Sequence, residues 1–214
     1  MTEWLAGLRR EHTTGAFADA DALPNPFEQF GAWLEAAQGS GILQPNAMTL
    51  STVDEHGHPD ARIVLLKGFD RRGFVFYTHR TSRKGRQLEA VPYAALTLFW
   101  DAIERQVRVQ GGVEWTSDAE SDEYFGSRPR GSQLGAIVSN QSAVIPGRET
   151  LEDALADLTS RTAGEPLDRP TTWGGYRVVP SEFEFWHGRP NRLHDRIRYR
   201  LDGHGRWIRE RLAP

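Results

Sequence analysis

The sequence predicts a mainly β protein, an antiparallel barrel with α-helical additions. Six or seven short β-rich runs succeed one another with turn signals between them. The regular β–α alternation of a doubly wound sheet is absent. The 214 residues, 38% hydrophobic and 26% charged, match one globular domain long enough to bury a core.

Glu3–Glu11 reads as a short helix, followed by a loose arm ending at Asn25-Pro26. Residues 1–24 are therefore expected to form an N-terminal arm, and 25–214 the barrel domain. Asn25 as N-cap and Pro26 at the first helical position open a second helix. Its apolar face carries Phe27, Phe30, Leu34 and Ala37, and Gly39 and Gly41 close it. The period then changes. Ala47–Val53, Arg62–Phe69 and Phe74–His79 read as strands joined by tight turns, hence antiparallel. Ser82–Ala90 is a short helix stopped by Pro92, and Tyr93–Trp100 and Arg105–Trp115 are further strands. Ser117 and Glu120 form a capping box, so Asp118–Phe125 should be helical. A polar loop follows, then a helix over Glu149–Arg161. Gly175–Trp186 and Arg196–Arg211 are strand-rich, the latter broken by a hairpin turn at Asp202-Gly203-His204-Gly205.

Composition narrows the function. No apolar run reaches membrane-spanning length, and the N-terminus lacks the pattern of a secretory signal. The absence of cysteine excludes disulfides, Cys-ligated metals and a thiol nucleophile, and fits a cytoplasmic protein. A net charge of −3 argues against a general nucleic-acid binder. Neither nucleic acid nor membrane is expected as a partner. Walker-type loops, G-x-G-x-x-G, G-x-S-x-G and H-E-x-x-H are all missing. His56-x-His58 sits in a Gly/Pro turn without a nearby third ligand, so it reads as a solvated loop and no metal is expected.

Cations then stand out. Lys67 and Lys84 are the only lysines in a chain with 26 Lys plus Arg. Chance explains that, as does a site needing two compact ammonium groups. Arg62 and Lys67 bracket four aliphatic residues, as an edge strand with charged ends would. Thr81-Ser82-Arg83-Lys84-Gly85 opens a helix with hydroxyls and two cations. A capped surface helix and a phosphate site both fit. The helix dipole disfavours cations at this end, which tilts the reading towards an anion. Tyr124 and Arg128 are i,i+4, and with Ser132 could clamp a second phosphate or form a solvated loop. As a strand, Arg192, His194 and Arg196 would share one face, where their repulsion calls for an anion unless solvent covers them. Trp186 could stack a flat ring or fill core.

In order, these motifs resemble the pyridoxamine (pyridoxine) 5′-phosphate oxidases. The resemblance rests on Leu8-Arg9-Arg10-Glu11, Arg62-Ile63-Val64-Leu65-Leu66-Lys67, Ser82-Arg83-Lys84, Glu104-Arg105-Gln106-Val107, Ser127-Arg128-Pro129-Arg130, Trp173-Gly174-Gly175, Glu184-Phe185-Trp186, Arg192-Leu193-His194-Asp195-Arg196 and the closing Arg211-Leu212-Ala213-Pro214. It runs essentially end to end. It implies an FMN-binding split β-barrel with Greek-key-like antiparallel strands and flanking helices. It also implies a homodimer with shared active sites. The implied reaction is oxidation of pyridoxamine or pyridoxine 5′-phosphate to pyridoxal 5′-phosphate by O2, releasing H2O2.

By matched position, the resemblance implies FMN contacts at Arg62, Val64, Leu65, Lys67, Tyr77, Thr78, Arg83, Lys84, Gln106, Gln141 and Ser142. Trp186 and Arg196 would reach the flavin of the neighbouring subunit. Arg9, His12, Lys67, Tyr124, Arg128 and Ser132 would bind substrate, and Arg192 and His194 would be catalytic groups over the pyridine ring. Three positions depart from the family pattern: His12 stands where a tyrosine is common, His187 where a glutamine is common, and Pro190 lies in the loop before Arg192. The alternatives are a phenazine-biosynthesis type oxidase on the same scaffold, or a non-catalytic flavin- or haem-binding split-barrel protein.

Overall fold

A computed structural model describes residues 3–8, 11–13 and 15–214. Among the described residues there are nine strands and six α-helices. In chain order these are α1 (Glu3–Gly7), α2 (Pro26–Gly39), β1 (Ala47–Val53), β2 (Pro59–Leu65), β3 (Gly68–Asp70), β4 (Gly73–His79), α3 (Arg83–Ala90), β5 (Tyr93–Trp100), β6 (Arg105–Trp115), α4 (Asp118–Ser127), α5 (Arg130–Val138), α6 (Glu149–Arg161), β7 (Trp173–His187), β8 (Asp195–Leu201) and β9 (Trp207–Arg211). The hydrogen-bonded strand order is β2-β1-β5-β6-β7-β4-β3, with β8 paired to β7 and β9 to β8. No described helix is long and apolar enough to cross a membrane.

The chain divides into two compact units, residues 1–50, 95–111 and 180–214, and residues 51–94 and 112–179. In the first, Asn25 accepts the Phe27 N–H at 2.9 Å and Pro26 takes the first helical position, so α2 starts where expected. Its buried face holds Phe27, Phe30, Trp33 and Ala37, with Trp33 in place of the expected Leu34. Trp33 packs edge-on to Phe185, with centroids 5.3 Å apart. Phe30, Trp100, Phe183, Phe185 and Tyr199 complete the core. β8 pairs with the second half of β7, setting Trp186 opposite Arg196 and His187 opposite Asp195.

In the second unit, β3 and β4 form a hairpin with Phe69 opposite Phe74. β4 pairs with the first half of β7, so Tyr77 faces Gly175 and His79 faces Trp173. Phe125, Ala136 and Trp173 make a small core lined by Tyr77 and Tyr124.

Four expectations change. The Arg62–Phe69 run breaks at Leu66-Lys67, so β2 pairs with β1 while β3 pairs with β4. The polar loop after Phe125 contains α5, held by buried Leu134 and Ala136. The first helix ends at Gly7, not Glu11. Arg192, His194 and Arg196 do not share a strand face. Pro190–Arg192 is a 3-10 turn, with Asn191 at φ +56 and Arg192 at φ +60, and β8 begins only at Asp195.

Candidate active site

The second unit builds a groove of about 470 Å³. Its walls are Ile63, Val64 and Leu65 from β2, Tyr77 and Thr78 from β4, Lys84 from α3, and Tyr124 from α4. Lys67, Arg128, Ser132, Gln141 and Trp173 complete them. The floor is aromatic: Tyr124 stacks on Tyr77 with centroids 4.0 Å apart, and Trp173 lies 5.5 Å beyond Tyr77, nearly parallel. The Arg128 guanidinium sits 4.8 Å from the Trp173 ring centre, a cation–π contact. α4 ends at Ser127, and Arg128 caps it in an extended conformation, so the groove rather than a helix face brings Arg128 to Tyr124.

Polar atoms crowd one end of the groove. Lys84 donates to Gln141 Oε1 at 2.8 Å and to Thr78 Oγ1 at 3.4 Å, and Thr78 donates to Gln141 Oε1 at 2.9 Å. Ser82 caps α3 by accepting the Gly85 N–H at 3.2 Å. The Arg83 N–H donates to Ser142 Oγ at 3.2 Å, with Ser142 itself at φ +74. Arg62 and Arg83 converge on Asp60, at 2.7 and 2.8 Å, and Arg62 also donates to Thr52 and Gln87.

These cations are concentrated beyond what their partners neutralise. Burial pushes the Lys84 ammonium below its ordinary value, the Arg62 charge adds to this, and Asp60 opposes it. Burial likewise lowers Arg128, whose Nη1 is buried with no hydrogen-bond partner. Nearby His79 is held below the ordinary imidazole value by burial, then by the charges of Lys84 and Arg128. A buried guanidinium nitrogen without an acceptor fits a site made for an anion, and a flat aromatic floor fits a planar ring. The donor set is thus suited to a phosphorylated heterocycle.

The first unit builds a second groove, about 770 Å³, lined by Leu8, Glu11, His12, Arg189, Asn191, Arg192 and His194. His194 packs on Trp186 with centroids 4.7 Å apart, and His12 stands edge-on to both, at 5.3 and 5.5 Å. The Arg189 N–H donates to His194 Nδ1 at 3.1 Å, which fixes the ring and leaves Nε2 to carry the proton in the neutral form. Burial lowers the His194 pKa, with the His12 and Arg192 charges adding to the effect.

Lys67, Val64, Leu65, Tyr77, Thr78, Lys84, Tyr124, Arg128, Ser132 and Gln141 thus line one groove, and His12, Arg192 and His194 the other. Arg62, Arg83 and Ser142 lie behind the first groove through the bonds just given. Trp186 backs His194. Arg196 is held by Glu184 at 2.9 Å and by the Ala213 carbonyl at 2.8 Å. Gln106 is half-buried on β6. Arg9 lies outside the described residues. Sequence reasoning did not single out Asp60, Gln87, Trp173 or Glu104 as site residues. Asp60 had a usable signal, since Asp60-x-Arg62 places both side chains on one face of a strand, and Trp173 and Glu104 stand in two of the motifs that carry the resemblance.

Residues 28–161 match the family model described as pyridoxamine 5′-phosphate oxidase. Residues 173–214 match the pyridoxine 5′-phosphate oxidase C-terminal dimerisation region. A pyridoxine/pyridoxamine 5′-phosphate oxidase of Rubrobacter xylanophilus is 55% identical over 98% of this chain and 96% of its own. One from Synechocystis is 53% identical over 98% of both chains. Among solved structures, PhzG of Burkholderia lata, in complex with tetrahydrophenazine-1-carboxylic acid, superposes with a TM-score of 0.88. It is 32% identical and covers 94% of this chain and 98% of its own. An FMN-binding, oxidase-related protein of Nostoc punctiforme shares the fold at a TM-score of 0.70 and 16% identity, over 89% of this chain and 98% of its own. These neighbours carry the split-barrel architecture that the family resemblance implied. Two successive family models and full-length relatives sharing over half their residues lead to one assignment: the chain belongs to the pyridoxamine 5′-phosphate oxidase family.

Proposed function

We propose that the protein is an FMN-dependent oxidase of pyridoxamine and pyridoxine 5′-phosphates that forms pyridoxal 5′-phosphate and acts as a homodimer with shared active sites. The observation that carries this reading is the buried, unpartnered Arg128 Nη1 in a groove that also holds Lys67, Tyr124 and Ser132. Four donors lining one groove suit a phosphate dianion. The match of residues 173–214 to a dimerisation region supports the homodimer.

In this reading Lys84, Arg83, Arg62, Thr78, Gln141 and Ser142 hold the phosphate end of FMN, while Val64, Leu65 and Tyr77 support the rest of it. Trp186 of the partner subunit and Arg196 of the partner subunit close over it. When bound, FMN would supply the hydride acceptor, with O2 as the terminal oxidant and H2O2 as the by-product. Lys67, Tyr124, Arg128 and Ser132 anchor the substrate phosphate, far from the reacting carbon, so its binding energy serves orientation. Arg192 holds the pyridine ring and polarises the reacting amine or alcohol. His194, whose charged form burial disfavours, supports that orientation.

Aerobic turnover of pyridoxamine 5′-phosphate, followed as aldehyde absorbance, tests the reading. A yellow protein that turns over this substrate supports it. A protein that stays colourless with FMN overturns every flavin reading. A second reading, a phenazine-type oxidase, draws on the likeness to PhzG. A flavin-loaded protein inert towards both B6 phosphates but active on a reduced phenazine would favour it.

A further inference from the structure

Residues 12, 13 and 15–17 meet a line of acceptors and donors in the first unit. The Thr13 N–H donates to Glu104 Oε2 at 2.9 Å, and Arg189 donates to the Gly15 carbonyl at 2.7 Å. The Phe17 N–H donates to Asp195 Oδ2 at 3.0 Å, and Arg211 bridges Asp195 and the Phe17 carbonyl. At the substrate-facing end of this strap, His12 Nδ1 lies 3.5 Å from Glu104 Oε1, shielded from solvent. Both oxygens of one carboxylate therefore engage two successive residues of the strap.

Glu104 is an unusual place for a carboxylate. It is 2% exposed and sits at φ +54, a left-handed backbone that favours glycine. Its carbonyl accepts the Gly188 N–H at 2.8 Å. Gly188 in turn leaves room for the imidazole: a Cβ there would stand 2.5 Å from His12 Nδ1 and 3.1 Å from Glu104 Cβ. The neighbouring His187 is buried and feels the Glu104 charge. His12, at 3.5 Å, and His187 thus both feel the same carboxylate. Backbone strain kept at a buried acid next to a ligand-facing groove points to a task for that acid.

We infer that Glu104 is a positioning residue: it clasps this strap, with Gly188 as the clearance, and so sets His12 against the His194–Trp186 face that receives the substrate. The inference rests on the functional reading above for its kinetic consequence, though not for the clasp. Glu104 touches no substrate in this scheme and acts through His12.

The test uses the flavin-loaded protein and pyridoxamine 5′-phosphate. Glu104→Ala removes the Thr13 hydrogen bond and the His12 contact and should raise KM about tenfold while kcat changes less than about threefold, the size expected for losing one hydrogen bond to a charged group. Glu104→Gln keeps an acceptor for the Thr13 N–H and should restore KM to within about threefold of the parent. Added to His12→Ala, Glu104→Ala should have almost no further effect, because the two act as one unit. An unchanged KM in Glu104→Ala, or full multiplication of effects in the double variant, overturns the inference. Should Glu104→Ala fail to fold, Gly188→Ala carries the test, since it displaces the imidazole and leaves the carboxylate in place; an unchanged KM there is equally fatal. Cleavage within the strap by proteinase K, which needs no basic residue, should accelerate in either variant when measured without substrate. Equal cleavage rates overturn the clasp. Faster cleavage in a protein whose parent form does not oxidise the substrate would overturn the functional reading and leave the clasp standing.

Discussion

Arg128→Met should separate binding from stability. In the folded protein Arg128 Nη1 is buried without a partner, which costs about 1–3 kcal/mol. Its stacking on Trp173, at 4.8 Å, returns about 0.5–2 kcal/mol. Methionine removes both terms and keeps apolar contact with the indole. Ligand-free stability should therefore change by no more than about 1 kcal/mol, or about 2–4 °C in a chain of this size. Binding behaves differently. A charge-assisted hydrogen bond to phosphate in a half-buried groove is worth about 2–3 kcal/mol, so affinity for pyridoxal 5′-phosphate should fall about 30- to 150-fold. Thermal melting without ligand and fluorescence titration of the flavin-loaded protein read the two quantities at one salt concentration. A midpoint lowered well beyond about 4 °C with unchanged affinity would refute the reasoning, because the guanidinium would then be a structural brace.

Three further outcomes follow from the same geometry. Lys84→Met, which removes the donor to Gln141 and Thr78, should weaken FMN retention about tenfold or more on ultrafiltration, and unaltered retention would contradict the proposed phosphate site. Gly85→Ala should destabilise by about 1–3 kcal/mol in urea unfolding, because its Cβ would collide with the Arg80 carbonyl, which is backbone and cannot swing aside. Hydrogen bonds from Arg200, then Arg198, pull the Glu210 carboxyl down to about 2. Because this lies below the unfolded value of about 4.3, its stabilisation is complete above that pH and fades as pH falls towards the folded value. The gap in urea midpoint between the parent protein and Glu210→Gln should thus be constant near neutrality and close between about pH 4.3 and 2; a gap that stays open in acid would show that charge is not its source.

Much of the fold was legible where local chemistry decides it. Asn25-Pro26 marks the start of α2, Ser117 and Glu120 that of α4, and the bounds of β5 and β6 follow from their β-rich runs. α5 was not legible, because Gly131, Ser132 and Gly135 are weak helix formers and burial of Leu134 and Ala136 holds it instead. The Pro190-Asn191 pair carried a turn signal that alternation of Arg192, His194 and Arg196 obscured. In the site, cations were legible as types but not their neighbours. Tyr124, Arg128 and Ser132 meet Lys67 across more than fifty residues of chain, and only tertiary packing reveals Trp173 beneath Arg128 or Asp60 between Arg62 and Arg83. Glu104 stood out only as part of a matched motif and not as a site residue, since its role depends on a backbone angle and on a glycine more than eighty residues away.

Lys67 and Lys84 are the only side-chain amines in the sequence, and both border a single groove. Acylating or reductively alkylating reagents aimed at lysine therefore have two side-chain addresses on the whole molecule. Lys67 is the exposed one, while Lys84 is half-buried and sheds its proton more readily than a free lysine. For a catalyst whose proposed product is an aldehyde, an arginine-rich exterior also leaves few amines on which that product could condense away from the groove.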